Sequence, residues 1–194
     1  VYLPNDYQKG TTDVWFLLHG ANGHQLNLLE RIDLKEHLDK MNATDVFVFV
    51  DGFNSFYIDG PGISMESAIL KDLIPHIEKL YEPQQKHIAG ISMGGHGALR
   101  LALKYPNMFK NVGALSPAVW YEMNEGIYTY SWHVFRDENG EYLHEKWNEA
   151  HPSSYLKNAS AIQSRFFVMT GQKDEAVSFV NAERLIHSMI DKGL

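Results

Sequence analysis

Five short apolar runs rich in β-branched and aromatic side chains punctuate the chain: Val14–Leu18, Val46–Val50, and residues 87–89, 112–115 and 166–169. Longer stretches of helical periodicity separate them, the pattern of βα units built around a mainly parallel sheet. Residues 26–41 read as a helix. So do residues 64–81, where Ser64 and Ser67 can cap, Ile69, Leu73, Ile77 and Leu80 recur at helical spacing, and Pro75 is expected to introduce a kink. A third helix spans 94–104, stopped by Tyr105-Pro106, and a fourth spans 177–192 before Gly193. Most apolar runs end in Gly, Asp or Ser, where a loop leaves the carboxyl edge of the sheet, the edge at which open α/β sheets bind ligands. One stretch interrupts the alternation. Residues 120–158 carry Trp120, Tyr121, Tyr128, Tyr130, Trp132, Phe135, Tyr142, Trp147 and Tyr155. Such aromatic density argues against disorder, and the segment is expected to form a cap over the carboxyl edge or an aromatic satellite core beneath a long loop.

Size and composition narrow the function. A chain of 194 residues, 44% of them hydrophobic, suits one domain with a sizeable core. With a net charge of −7 it has no basic surface for nucleic acid or anionic lipid, and neither is expected as a partner. The absence of cysteine removes disulfides, thiolate nucleophiles and cysteine-held metals. No His-Glu-x-x-His pattern occurs, and residues 137–141 read as an exposed turn rather than a calcium loop, so no metal or cofactor is expected.

Gly90-Ile91-Ser92-Met93-Gly94 matches Gly-x-Ser-x-Gly, in which a serine on a tight strand-to-helix turn lifts its hydroxyl off the end of a sheet. The bare pattern arises by accident about one time in twenty in a chain of this length, so context decides. Here it follows a strand-like run and opens a helix whose first turns hold Gly94, Gly95, Gly97 and Ala98, small enough for close packing on the sheet. Ser92 is therefore the candidate nucleophile. Its hydroxyl needs a general base, and the tetrahedral intermediate needs hydrogen-bond donors for its oxyanion. The glycine-bearing turn Leu18-His19-Gly20-Ala21-Asn22-Gly23 after the first strand offers the amide of Ala21, and the residue after the nucleophile offers that of Met93. His19 precedes the nucleophile and is read as structural, since in this arrangement the acid and base follow the serine. The acid is sought after a later strand, where Asp174 follows Gly171 and Glu175 is its substitute; capping of the next helix is the competing role for Asp174.

The segments Leu17-Leu-His-Gly20, Asp51-Gly52 with Ser55-Phe56-Tyr57, Leu73-Ile74-Pro75, Ile88-Ala-Gly-Ile-Ser-Met-Gly-Gly-His-Gly-Ala-Leu99 and Gly171-x-x-Asp174 together resemble the putative-esterase family of α/β-hydrolases. That family includes feruloyl and acetyl-xylan esterases, S-formylglutathione hydrolases, tributyrin esterases and mycolyltransferases. The resemblance covers nearly the whole chain. It implies an α/β-hydrolase fold with helices on both faces of the sheet, cofactor-free ester hydrolysis through an acyl-enzyme, and a small-molecule or carbohydrate-linked ester as substrate. The candidate substrate contacts are His19, Gly20, Asp51, Phe56, Tyr57, Trp120, Tyr130 and Trp132. It also implies a catalytic histidine roughly thirty residues beyond the acid, whereas the sequence runs only twenty residues past Asp174, with His187 alone among ten histidines following it. His187 falls in a predicted helix. The chain, which opens at Val1-Tyr2-Leu3-Pro4 without an initiating Met, is accordingly expected to be trimmed at both ends. Ser92 and Asp174 are expected roughly 7 to 8 Å apart, as two hydrogen bonds through an imidazole would require. The readings that compete with a carboxylesterase are an acyltransferase on the same fold and a non-catalytic binding module lacking its base.

Overall fold

Strand residues point alternately to the two faces of a sheet, and the burial of Val14–Leu18 alternates accordingly. The same alternation marks Val46–Val50. In the computed structural model, which describes residues 1–122 and 134–194, the elements in chain order are β1 (Val14–Leu18), α1 (Asn27–Ile32), α2 (Leu34–Lys40), β2 (Val46–Val50), β3 (Asp59–Gly60), β4 (Ile63–Ser64), α3 (Met65–Ser67), α4 (Ile74–Tyr81), β5 (Lys86–Ile91), α5 (Met93–Lys104), β6 (Asn111–Leu115), α6 (His144–Ala150), β7 (Arg165–Met169) and α7 (Phe179–Ile190). Among the described residues one sheet has the order β2-β1-β5-β6-β7, with every neighbouring pair parallel, and β3 and β4 form a separate antiparallel pair.

Helix α5 packs on the face that carries Phe16, Leu18, Ile88, Val112 and Ala114, all buried. The opposite face is open over β5 to β7, where Ile91, Phe167 and Met169 are 41%, 63% and 55% exposed. Ile91, Leu115 and Met169 lie in one register row across these three strands.

Several boundaries differ from the periodicity, each for a local reason. The helix expected over 26–41 breaks at Asp33, whose left-handed backbone ends α1 and whose carboxylate accepts the Glu36 amide to start α2. The helix expected over 64–81 is continuous but not uniformly α: residues Ala68–Leu73 form a π-helical stretch, and Pro75 follows it in the first turn of α4, so the departure from α geometry falls directly before the residue that has no N–H to donate. Ser67 does not cap its own helix; its amide and hydroxyl both donate to Asp59. Helix α7 begins at Phe179, with Val180 and Ile190 on its exposed side and Ala182, Leu185 and Met189 buried.

The aromatic segment divides in two. Its described part is core: Trp120, Phe135 and Trp147 are buried around Phe56, with ring centroids 5.1 to 6.5 Å apart. Helix α6 and the 3₁₀ helix Pro152–Ala161 follow, where sequence periodicity marked neither. Tyr128, Tyr130, Trp132 and His133 lie outside the described residues.

Candidate active site

Strand β5 ends at Ile91, and α5 begins at Met93, leaving Ser92 alone on the turn with φ 56° and ψ −117°. A non-glycine residue there is strained by about 1–3 kcal/mol and persists only where its surroundings fix it. They do so through three backbone hydrogen bonds. The Ser92 amide donates to Leu115 O at 2.8 Å, and its carbonyl accepts from Ala118 N at 2.9 Å and His96 N at 3.0 Å. Close approach completes the arrangement: a Cβ on Gly94 would overlap the carbonyl of Leu18, and one on Gly90 would overlap the backbone of Gly94. Only glycine at both positions lets α5 run this near the end of β1.

That approach sets Ser92 against the turn leaving β1. A Cβ on Gly20 would stand 3.4 Å from Ser92 Cβ and 3.9 Å from Ser92 Oγ. The next peptide, Gly20–Ala21, is oriented by His19. The Gly52 amide can only donate, and it lies 3.0 Å from His19 Nε2, so Nε2 is the acceptor and the ring proton resides on Nδ1. Nδ1 then donates to Gly20 O at 2.7 Å, an oxygen that also accepts from Gly23 N at 3.1 Å. In a trans peptide the carbonyl and amide point in opposite directions, so fixing Gly20 O also fixes the direction of the Ala21 N–H. The amides of Ala21 and Met93 donate to no acceptor among the described residues. Met93, as the first residue of α5, has no intrahelical partner for its amide.

Asp174 follows β7, two strands from β5 and at the same carboxyl edge. Its Oδ1 accepts from Val177 N at 2.9 Å and Ala176 N at 3.0 Å, and the Ser116 side chain lies near the same carboxylate and helps to lower its pKa. The Val177 amide, together with Ser116 and Ala176, outweighs the opposing effect of desolvation and holds the carboxyl below its ordinary value. Helix α7 has Ser178 as its N-cap, four residues after Asp174, so this carboxylate does not cap it. Glu175 is exposed and takes no part in these contacts.

The other candidates separate by burial. Phe56 and Tyr57 are 2% and 0% exposed, and Trp120 is 7% exposed. Their bulk belongs to the core rather than to a substrate surface: Phe56 packs on His96, Phe135 and Trp147, and the Tyr57 hydroxyl donates to His19 O at 3.0 Å. Asp51 is partly exposed and accepts from Phe53 N. His187 is exposed on α7, and among the described residues no histidine side chain hydrogen-bonds to Ser92 or Asp174. Burial of Tyr57, the main influence, drives its phenol pKa far above the ordinary value, so it acts as a neutral donor.

Sequence reasoning passed over Ser116 and Asn54. Ser116-Pro117 at the end of β6 carries a turn signal that could have marked Ser116, which takes φ 41°. Asn54 reaches its partner Asn22 across 32 residues of chain, and no local pattern marks such a pair.

A parallel sheet of this order, a serine on a strained strand-to-helix turn and a glycine turn beside it define the α/β-hydrolase fold. The chain belongs to the putative esterase family, whose model matches residues 1–188. It is 31% identical to an S-formylglutathione hydrolase of Bos taurus over 92% of this chain and 70% of that protein. It is 33% identical to an acetyl esterase of Caldicellulosiruptor saccharolyticus over 64% of this chain and 52% of that one. A solved ferulic acid esterase superposes with a TM-score of 0.79 at 22% identity, covering 97% of this chain and 76% of its own, a likeness of fold. The chain spans 57% and 52% of the length of two of the curated relatives it matches.

Proposed function

We propose that the protein is a serine carboxylesterase that hydrolyses short acyl or hydroxycinnamoyl esters through an acyl-enzyme on Ser92. The observation that carries this reading is Ser92 at positive φ directly beside the Gly20–Ala21 turn, whose amide, with that of Met93, has no competing acceptor among the described residues. Ser92 Oγ attacks the ester carbonyl while a general base takes its proton. The two amides stabilise the oxyanion, and collapse of the intermediate expels the alcohol, which receives that proton. Water then attacks the acyl-enzyme by the same route and releases the acid. In this scheme Asp174 orients the base, an imidazole contributed from outside the described residues, and stabilises its charged form. The acyl class draws on the relatives: an acetyl esterase, S-formylglutathione hydrolases and a ferulic acid esterase fold. The test is turnover of p-nitrophenyl acetate and methyl ferulate by the full-length protein. Ser92→Ala should remove at least about three orders of magnitude of activity, as loss of a triad member does. Undiminished turnover by Ser92→Ala would reject the assignment, and a full-length protein that binds esters without turnover would identify a binding module.

A further inference from the structure

The turn after β1 is held from a second side by the loop that leaves β2. The backbone N–H of Asn22 donates to Asn54 Oδ1 at 2.7 Å, and Asn54 Nδ2 donates to Asn22 Oδ1 at 3.1 Å. Because a backbone N–H can only donate, the atom facing it must be the Asn54 carbonyl oxygen. The orientation of that amide is thereby fixed, leaving its nitrogen to meet the Asn22 side chain. Asn22 takes φ 57°, a left-handed conformation that asparagine tolerates, and it is the residue immediately after Ala21.

The two peptides that flank Ala21 are thus clamped separately. The preceding one is held through Gly20 O by His19, which is itself set by Gly52; the following one is held through Asn22 N–H by Asn54. Both clamps trace back to residues 52–54. This loop is itself fixed in an unusual path, with Phe53, Phe56 and Tyr57 all at positive φ and with Ser55 Oγ bonded to Gly52 O and Tyr57 N. Strain of this kind, held by surrounding bonds, is the mark of a segment shaped to a task.

We propose that Asn54 is a positioning residue: by anchoring the peptide that follows Ala21, it keeps the Ala21 amide, whose direction is set through Gly20 O, in place toward the oxyanion. The proposal rests on the esterase reading of Ser92 and Ala21 and adds a residue that neither a sequence motif nor contact with substrate would reveal. An oxyanion donor counts only when it points at the charge that develops in the transition state, so loosening this clasp weakens the transition state more than it weakens ground-state binding. Asn22 and Asn54 lie in surface loops, and the loss of two hydrogen bonds there leaves the core intact.

The experiment compares full-length wild type, Asn54→Ala and Asn54→Asp for p-nitrophenyl acetate turnover, for the rate of phosphonylation of Ser92 by a fluorophosphonate, and for melting temperature. Asn54→Ala should lower kcat about ten- to a hundredfold with KM within about twofold, and should slow phosphonylation in parallel, since misplacement of a catalytic group by about 1 Å has effects of this size. Asn54→Asp should recover to within about threefold of wild type. Its Oδ1 still accepts from Asn22 N–H, and a flipped Asn22 amide donates to the second oxygen. Wild-type kcat in Asn54→Ala, or equal losses in Ala and Asp variants that melt lower together, would overturn the proposal while leaving the esterase reading intact. A wild type that neither turns over nor is phosphonylated would overturn that reading, and the clasp with it.

Discussion

Gly20 faces Ser92 so closely that a methyl group on its Cα would stand 3.9 Å from the serine oxygen, at a separation ordinary for folded proteins. Gly20→Ala should therefore fold with a stability within about 1 kcal/mol of wild type. The added methyl would intrude on the space beside Oγ where a tetrahedral intermediate must form, so esterase activity of the full-length protein should fall about a hundredfold. Chemical denaturation alongside kcat/KM checks both halves; a large loss of stability would mean that the turn has no room even for a methyl group.

Ser116, at the end of β6, lies near the acid that follows β7 and favours its charged form. It occupies φ 41°, where glycine is more comfortable. Ser116→Gly should relieve that strain while removing the hydroxyl from Asp174. The expected outcome is unchanged stability, within about 1 kcal/mol, with kcat reduced about tenfold, since partners that orient a functional group typically contribute on this scale. Melting and turnover measured on the same preparation would separate the two effects.

Behind α5, Glu66 is buried and accepts from Arg100 at 2.7 Å and Lys104 at 2.6 Å, with the Tyr105 hydroxyl as a third donor. Burial pushes its carboxyl up. Arg100 and then the Lys104 and Tyr105 hydrogen bonds outweigh burial and hold it below the ordinary 4.5. A carboxylate whose folded pKa is lowered stabilises the fold above its unfolded value, and that contribution is lost as the pH falls through the folded value. Glu66→Gln should destabilise the protein by about 3–5 kcal/mol at pH 7 by stranding Arg100. Against wild type, the difference should shrink in denaturation curves taken below pH 4.

His151 is buried under Tyr121, and burial, aided by Arg184, lowers its pKa to about 4. For a base shifted downward, protons favour the unfolded chain. Its contribution is complete above the unfolded value of 6.5 and drains away as the pH falls toward 4. The shift corresponds to about 3 kcal/mol. His151→Asn keeps an oxygen to accept from Ser153 N, the present capping contact. It should flatten the decline in stability between pH 6.5 and 4, read by urea denaturation; an unchanged slope would assign the acid sensitivity to other groups.

The strands were legible in the sequence because β-branched and aromatic runs have few alternatives in a buried parallel sheet. Val14–Leu18 and Val46–Val50 coincide with β1 and β2 to the residue. Helix interiors were less so. The break at Asp33 depends on one left-handed residue within an otherwise helical pattern, and the π-helical turn before Pro75 leaves no trace in apolar spacing. At the site, Gly90, Ser92 and Gly94 announce themselves because their roles are local to one turn. Phe56 and Tyr57 misled, since an aromatic pair beside a catalytic turn looks the same in sequence whether it greets a substrate or braces the turn from below. Asn54 and Ser116 work through partners distant in the chain, Asn22 and Asp174, and only folding brings those pairs together.

The glycine contact between α5 and the end of β1 has a consequence for how such a protein changes over generations. Where main chain meets main chain, at Gly94 against Leu18 O, the spacing of Ser92 from the neighbouring turn is set by atoms that every substitution leaves in place. Repacking Leu99, Val112 or Phe109 can raise or lower the melting point without retuning that spacing. Robustness and reactivity are therefore heritable as separate traits: the core is free to drift toward heat or cold, provided that three glycines, Gly20, Gly90 and Gly94, do not.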